Sequence, residues 1–592
     1  MVQSVTMMRE EDDPRDRAPA TPLPGARVES SLRARWVIPA SVEQLVVATV
    51  LFWTLTANPA FIGAVMRGHS LAELSSWAYG GAMLVLVTAV HAFLLLLVAN
   101  RRTLKPVIAV LVVTTAFATY FTGAFGVYLD PSMLRNALHT DLPEARELFS
   151  MPLAAHLLLH AALPLLVLSR VRLIPRPSTA SHPLLRALAR RSLLLGVSML
   201  LMAGALLSNF QAFSSLMRNQ KEVRYLITPA NYLWSAGTVA AQGARGAARP
   251  REAIGLDAQP GPSWAARRKP LVLVIVVGET ARAANWGLSG YARQTTPELA
   301  AIGPVNFPDV VACGTSTEVS LPCMFSPVGR RHYDEAKIRG QQSLLDVLAR
   351  AGVAVHWRDN QSGCKGLCDA HASDRVSSLN APGLCSDGRC LDYGLIADMD
   401  ERLASAEGTQ VWILHMLGNH GPSYFRRYPD AFARFKPDCR HDDLQQCSVD
   451  QIVNAYDNAL LYTDHVLASA IGKLKAHAGE VDAALIYVSD HGESLGERGL
   501  FLHGMPYAIA PDVQTRVPMI MWFGPGFERG AGLEAGCLVP ALMRAAKAPV
   551  AHDHLFHTVL GLLDVRTGLA VDALDLSRPC RRAPGSVVTA AR

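Results

Sequence analysis

Residues able to do chemistry cluster in four short stretches of this chain. Glu279 and Thr280 follow an apolar run (LVLVIVV), His420 follows VWILHM, and Asp490 and His491 follow AALIYV in the string SDHGESLGE. Several apolar runs that each end in Glu, Asp or His point to a metal site, because carboxylate and imidazole ligands must converge from different elements. Oxygen ligands with one imidazole fit zinc and leave manganese or magnesium open on ligand type. A fourth stretch, CGTSTEVSLPC, offers the hydroxyls of Thr315, Ser316, Thr317 and Ser320 between Cys313 and Cys323. A hydroxyl attacks poorly unless a metal or base activates it. A helix starting near Thr317 presents its N–H groups to an anion, whereas simple helix capping explains the same residue types. Spacing alone does not choose among the four.

The apolar runs alternate with helical patterns, the rhythm of an α/β domain with a mostly parallel sheet. Further strands are expected at 353–357 and 517–522. In such sheets ligands bind beyond the carboxyl ends of the strands, where Glu279, His420, Asp490 and His491 would meet.

The rest of the chain is different material. The whole chain has 592 residues, 50% hydrophobic and only 18% charged, below the roughly 25% charge of soluble domains. Its net charge of +6 is too small for nucleic-acid binding at this length. Five apolar segments, Gln44–Met66, Trp77–Val98, Val107–Phe125, Pro152–Leu168 and Leu193–Phe210, approach the ~20 residues of a membrane-spanning helix. Arg27, Arg33 and Arg35 precede the first. Arg101, Arg102 and Lys105 separate the second and third; Arg170, Arg172, Arg176, Arg186, Arg190 and Arg191 separate the fourth and fifth. The positive-inside rule makes these regions cytoplasmic, so five spans deliver everything after Phe213 to the other side. All ten cysteines lie between Cys313 and Cys580. An even number confined to an exported part reads as disulfides, paired in sequence as Cys313–Cys323, Cys364–Cys368, Cys385–Cys390, Cys439–Cys447 and Cys537–Cys580. The expected organisation is a disordered cytoplasmic tail (1–35), a five-span membrane domain (36–213), a linker with interfacial helices (214–269) and an exported domain (270–592). In the outer loop, Asn136, Thr140 and Glu144 are spaced to share one face of a helix.

The stretches VVGETARAANWGLSGYARQTTPEL, ACGTSTEVSLPCMFS, WRDNQSGCKGLCD, LHMLGNHGPSYFRRYP, NAYDNALLYTD, SDHGESLGERGLFLHG and APDVQTRVPMIMW resemble the phosphoethanolamine transferases of Gram-negative inner membranes, above all those acting on lipid A. The resemblance implies a five-helix membrane domain plus an alkaline phosphatase/sulfatase-like α/β domain in the periplasm. It implies one or two zinc ions held by Glu279, Thr317, Asp490 and His491, with Thr317 as the nucleophile that becomes phosphoethanolamine-modified. Lys365, His420 and His503 match positions at the substrate phosphate or a second zinc. His415 matches a family histidine and reads equally as a satisfied strand-end residue. Asn136, Thr140 and Glu144 match positions linked to the phosphatidylethanolamine head group. The implied donor is phosphatidylethanolamine and the implied acceptor lipid A, with a core sugar (heptose or Kdo) or a phosphodiesterase reaction as alternatives, in a monomer among membrane lipids. Two departures stand out: Arg516 occupies QTRVP where relatives often have His, and LDYGL after Cys390 lacks an acidic pair common in relatives.

Overall fold

The computed structural model describes residues 37–67, 69–174, 183–247, 250–379, 383–386 and 389–581. The expected tail (1–35) and Arg176 lie outside them. Among the described residues, four helices are long and apolar enough to cross a membrane: Leu74–Val98, Leu104–Phe125, Met151–Arg170 and Leu188–Ser208. The expected first span consists of Val42–Thr56 and Pro59–Met66, bent by 55°. Pro59 has no N–H to continue the first helix. Asn58 satisfies the break: its side chain donates to Trp53 O (2.9 Å) and Thr228 O (2.8 Å) and accepts from Thr228 N (3.0 Å).

That contact brings the expected linker into the bundle. Val223, Tyr225 and Leu226 are buried instead of lying along a surface, and the Tyr232 hydroxyl bonds Thr114 and Thr115 of the third span at 2.9 and 3.0 Å. The outer loop between the third and fourth spans forms two short helices, α1 (Pro131–His139) and α2 (Leu142–Glu147). The single helix expected through Asn136, Thr140 and Glu144 is therefore interrupted at Thr140. Pro143 cannot donate to His139 O, and Asp141 caps a new helix by accepting from Glu144 N. A third helix, α3 (Ala230–Ala247), packs against α1.

The exported domain is built on β1 (Leu271–Gly278), β2 (Val305–Val311), β3 (Ala354–Asp359), β4 (Ala372–Arg375), β5 (Thr409–His415), β6 (Asp482–Ser489), β7 (Arg516–Phe523) and β8 (Val550–Ala551). Their order is β8-β2-β7-β6-β1-β5-β3-β4. β7 is antiparallel to both neighbours and the other pairs are parallel. β1 is buried at every position, as a central strand covered on both faces should be. Apolar clusters lie on the two sides, one around Phe325, Leu345 and Phe556, the other around Trp286, Tyr456 and Leu467. Two helices complete the frame. α4 (Thr317–Met324) begins at the candidate nucleophile, and α5 (Val449–Ala476) carries a capping box of Ser448 and Gln451. All five expected disulfides are present.

Candidate active site

β1 and β6 are parallel neighbours with Ser489 opposite Gly278. The next residues, Glu279 and Asp490, therefore leave the sheet side by side. Gly278 is required here, since a Cβ would stand 2.5 Å from the Tyr487 ring. Asp490 N donates to Gly278 O at 2.9 Å, which locks the two strand ends together. α4 supplies the third component. Thr317 Oγ1 donates to Glu279 Oε2 at 2.9 Å and lies 3.4 Å from His491 Nε2. The structure thus separates the four hydroxyls. Thr315 bonds Met505 O, Ser320 bonds Asp490 O, and Ser316 stands at the N-cap with no side-chain cap bond, leaving Thr317 as the hydroxyl aimed at the carboxylates. Cys313–Cys323 ties the loop before α4 to the helix itself.

Glu279, Asp490 and His491 are fully buried. Burial and the adjacent Glu279 push the Asp490 carboxyl up to about 6. Burial opposes charge on His491 as well, yet Asp490 and Glu279 raise it to about 10. Two carboxylates share this pocket, and a cation would relieve their repulsion. The donor set fits such an ion. One ligand atom each from Glu279, Asp490 and His491 falls within a mutual 4.8 Å, and Glu279 Oε1 and Asp490 Oδ2 are buried with no hydrogen bond among the described residues. The other cluster of that kind among the described residues, Cys364, Cys368 and Asp369, is closed to a metal because its cysteines form a disulfide.

Three imidazoles line up beside Thr317. The His491 and His503 rings are 4.4 Å apart, and those of His503 and His420 are 5.3 Å apart. His503 Nδ1 meets Glu493 Oε2 at 3.0 Å. His420 Nε2 meets Glu144 Oε1 of the outer loop at 3.2 Å. Burial disfavours the imidazolium, but Glu144 prevails and holds His420 at about 9. His415 Nδ1 bonds Asp359 (2.8 Å), and its Nε2 is buried without a partner among the described residues. Lys365 is not drawn into this group; its amine bonds Ser362 Oγ at 2.7 Å. Thr140 turns its hydroxyl back to Asn136 O, so Glu144 is the loop residue of the three whose side chain meets this group, at His420. Arg516 faces Asp309 at the surface.

Sequence reasoning missed the residues that join the two domains. Within the exported domain it also missed Gln361, whose Nε2 donates to Glu279 Oε2 at 3.2 Å. Glu147 holds Arg427 at 2.6 Å and Arg389 at 2.8 Å, and Arg427 also donates to His420 O. Glu318, next to Thr317, meets His139 at 2.9 Å and Arg339 at 2.8 Å. Arg135 bonds Glu335 and Gln242. The only sequence signal for these partners is the run of charge in the outer loop.

A family model described as phosphoethanolamine transferase EptA/EptB matches residues 87–244, and a sulfatase model matches residues 272–565. The phosphoethanolamine transferase EptA of Escherichia coli (strain K12) is 35% identical over 541 residues, 90% of this chain and 97% of the relative. The chain belongs to the EptA/EptB phosphoethanolamine transferase family. The phosphatidylethanolamine transferase Mcr-1 of Escherichia coli is 36% identical over 88% of this chain and 94% of its own length. The solved integral membrane lipooligosaccharide phosphoethanolamine transferase A of Neisseria meningitidis superposes with a TM-score of 0.85 at 37% identity. That match covers 92% of this chain and 100% of the solved one. This family member is an inner-membrane enzyme of several spans with a sulfatase-like catalytic domain in the periplasm.

Proposed function

We propose that this transferase moves phosphoethanolamine from phosphatidylethanolamine to lipid A through a covalent intermediate on Thr317. The observation that carries the reading is the convergence of one hydroxyl, Thr317 Oγ1, on the buried group formed by Glu279, Asp490 and His491. Zinc, when bound, would be held by Glu279, Asp490, His491 and Thr317 and would supply Lewis acidity, lowering the pKa of the hydroxyl and neutralising charge on phosphoryl oxygens.

In the first half-reaction Thr317 Oγ1 passes its proton to Glu279 Oε2, the acceptor of its hydrogen bond, and bonds to the donor phosphorus. The bond from phosphorus to diacylglycerol breaks. His503 is the proton donor for the departing oxygen, since Glu493 occupies its Nδ1 and leaves Nε2 for the substrate. His420 serves as a fixed positive charge beside the phosphate, balanced by Glu144. Asp141, next to the paired Glu144 on the cleft wall, gives the ethanolamine ammonium its counter-charge. In the second half-reaction an acceptor hydroxyl passes its proton to His503 and attacks the same phosphorus, and the released Thr317 Oγ1 takes its proton back from Glu279, which completes a ping-pong cycle. Both substrates are lipids, and the membrane domain holds the site at the leaflet where they reside.

Mass spectrometry of lipid A from a polymyxin-sensitive Gram-negative host tests the reading. Wild type should add phosphoethanolamine and Thr317→Ala, at matched protein level, should not. Modification of core sugars in place of lipid A would overturn the acceptor, and release of free phosphoethanolamine alone would make the enzyme a phosphodiesterase.

A further inference from the structure

A cleft opens beside Thr317, between the outer loop and the ends of β3 and β5. Its walls include Asp141, Glu144, Gln361, Arg375, Arg389 and His420. Thr317, Glu279, Asp490 and His491 lie behind Gln361 and form no part of its lining. The charges around it are unevenly paired. Glu144 is matched by His420 and Asp359 by His415, and Asp141 accepts from Glu144 N, but Glu147 alone forms the ion pairs of both Arg389 and Arg427. The Nη2 of Arg389 is buried with no hydrogen-bond partner among the described residues, and Arg375 at the end of β4 is exposed with no ion pair among them. Two guanidiniums with unused donors on one cleft are an anion-binding arrangement, because the planar fork matches phosphate oxygens in pairs.

The transferred phosphorus cannot be that anion, since it must lie against Thr317 behind Gln361. The donor phospholipid carries a single phosphate, already committed there. A substrate with a second anionic group, such as a diphosphorylated saccharolipid, can reach both places at once. We propose that Arg375 and Arg389 form an anion subsite that reads a second phosphate of the acceptor, apart from the group being transferred. The inference rests on the transferase reading above and adds which feature of the acceptor is recognised.

The test uses the full-length enzyme in detergent micelles with fluorescent phosphatidylethanolamine and two acceptors, diphosphoryl and monophosphoryl lipid A. Wild type should show an acceptor KM about tenfold lower for the diphosphoryl form, the size expected for a charge-assisted hydrogen-bonded pair. Arg375→Gln should bring the two KM values together, Arg375→Lys should keep part of the preference, and Arg389→Lys should weaken it in the same direction. A residue with a merely structural role would raise both KM values equally, and that result would overturn the proposal, as would equal KM values in wild type. Loss of diacylglycerol release by Arg375→Gln when no acceptor is present would assign the anion site to the donor phosphate and also overturn it. Failure of wild type to modify either acceptor would overturn the transferase reading, and this inference with it.

Discussion

Exchanging Glu147 for alanine removes the carboxylate that faces Arg427 and Arg389 across the domain boundary. The Glu147 and Arg427 side chains are 6% and 1% exposed, so the loss leaves a guanidinium buried without its counter-charge. Breaking a buried pair in this way costs about 3–5 kcal/mol. Arg427 keeps its bond to His420 O, and Arg389 is 18% exposed and can reach water, so the lower figure applies. About 3 kcal/mol weakens docking of the outer loop roughly a hundredfold. Glu144 lies one helical turn earlier on α2 and is carried away from His420 with it. Donor kcat/KM should fall by about tenfold to a hundredfold, mainly through KM, because an interaction that only orders the donor site acts on binding. The assay is release of fluorescent diacylglycerol from labelled phosphatidylethanolamine, with thermal unfolding followed on the same samples. Removing both charges in Glu147→Ala/Arg427→Met should recover part of the loss, since the penalty belongs to the orphaned charge. Wild-type kcat/KM and unchanged unfolding for Glu147→Ala, or a double variant whose losses simply add, would refute the reasoning.

Three further outcomes are expected. His552 is fully buried and held neutral, with burial lowering its pKa to about 4. Its folded value lies below the unfolded one, so its contribution is complete above about pH 6.5 and is lost as pH falls towards 4, by up to about 3 kcal/mol. Urea unfolding between pH 7.5 and 4.5 should show this slope, and His552→Gln should flatten it. Opening Cys313–Cys323 with a double serine variant should cost about 2–3 kcal/mol on the loop-entropy model and lower kcat more than it raises donor KM, measured by unfolding and by diacylglycerol release. Dialysis against a chelator should abolish release and added zinc should restore it, while Glu279→Gln should bind less zinc by direct metal analysis.

How much could be read from residue types depends on where the information sits. Glu279, Asp490 and His491 were visible because each ends an apolar run, and the parallel register of β1 and β6 makes such endings meet. The choice of Thr317 among four hydroxyls was not visible on spacing. It depends on which side chain of the turn faces Glu279, and Ser320, one turn later, bonds Asp490 O instead. Glu147, Arg389 and Arg427 were invisible as a group, since partners so far apart in sequence show no local pattern. The break at Thr140 had a signal, Pro143 behind a capping Asp141, that the spacing of Asn136, Thr140 and Glu144 obscured. The burial of residues 223–226 likewise needed Asn58, whose side chain anchors Thr228 from the first span.

The decisive measurement is the intact mass of purified full-length enzyme after exposure to phosphatidylethanolamine without acceptor. The mass should rise by one phosphoethanolamine unit, peptide mapping should place it on Thr317, and added lipid A should discharge it. An unmodified enzyme that still transfers phosphoethanolamine, or a modification on another residue, would contradict a covalent path through Thr317.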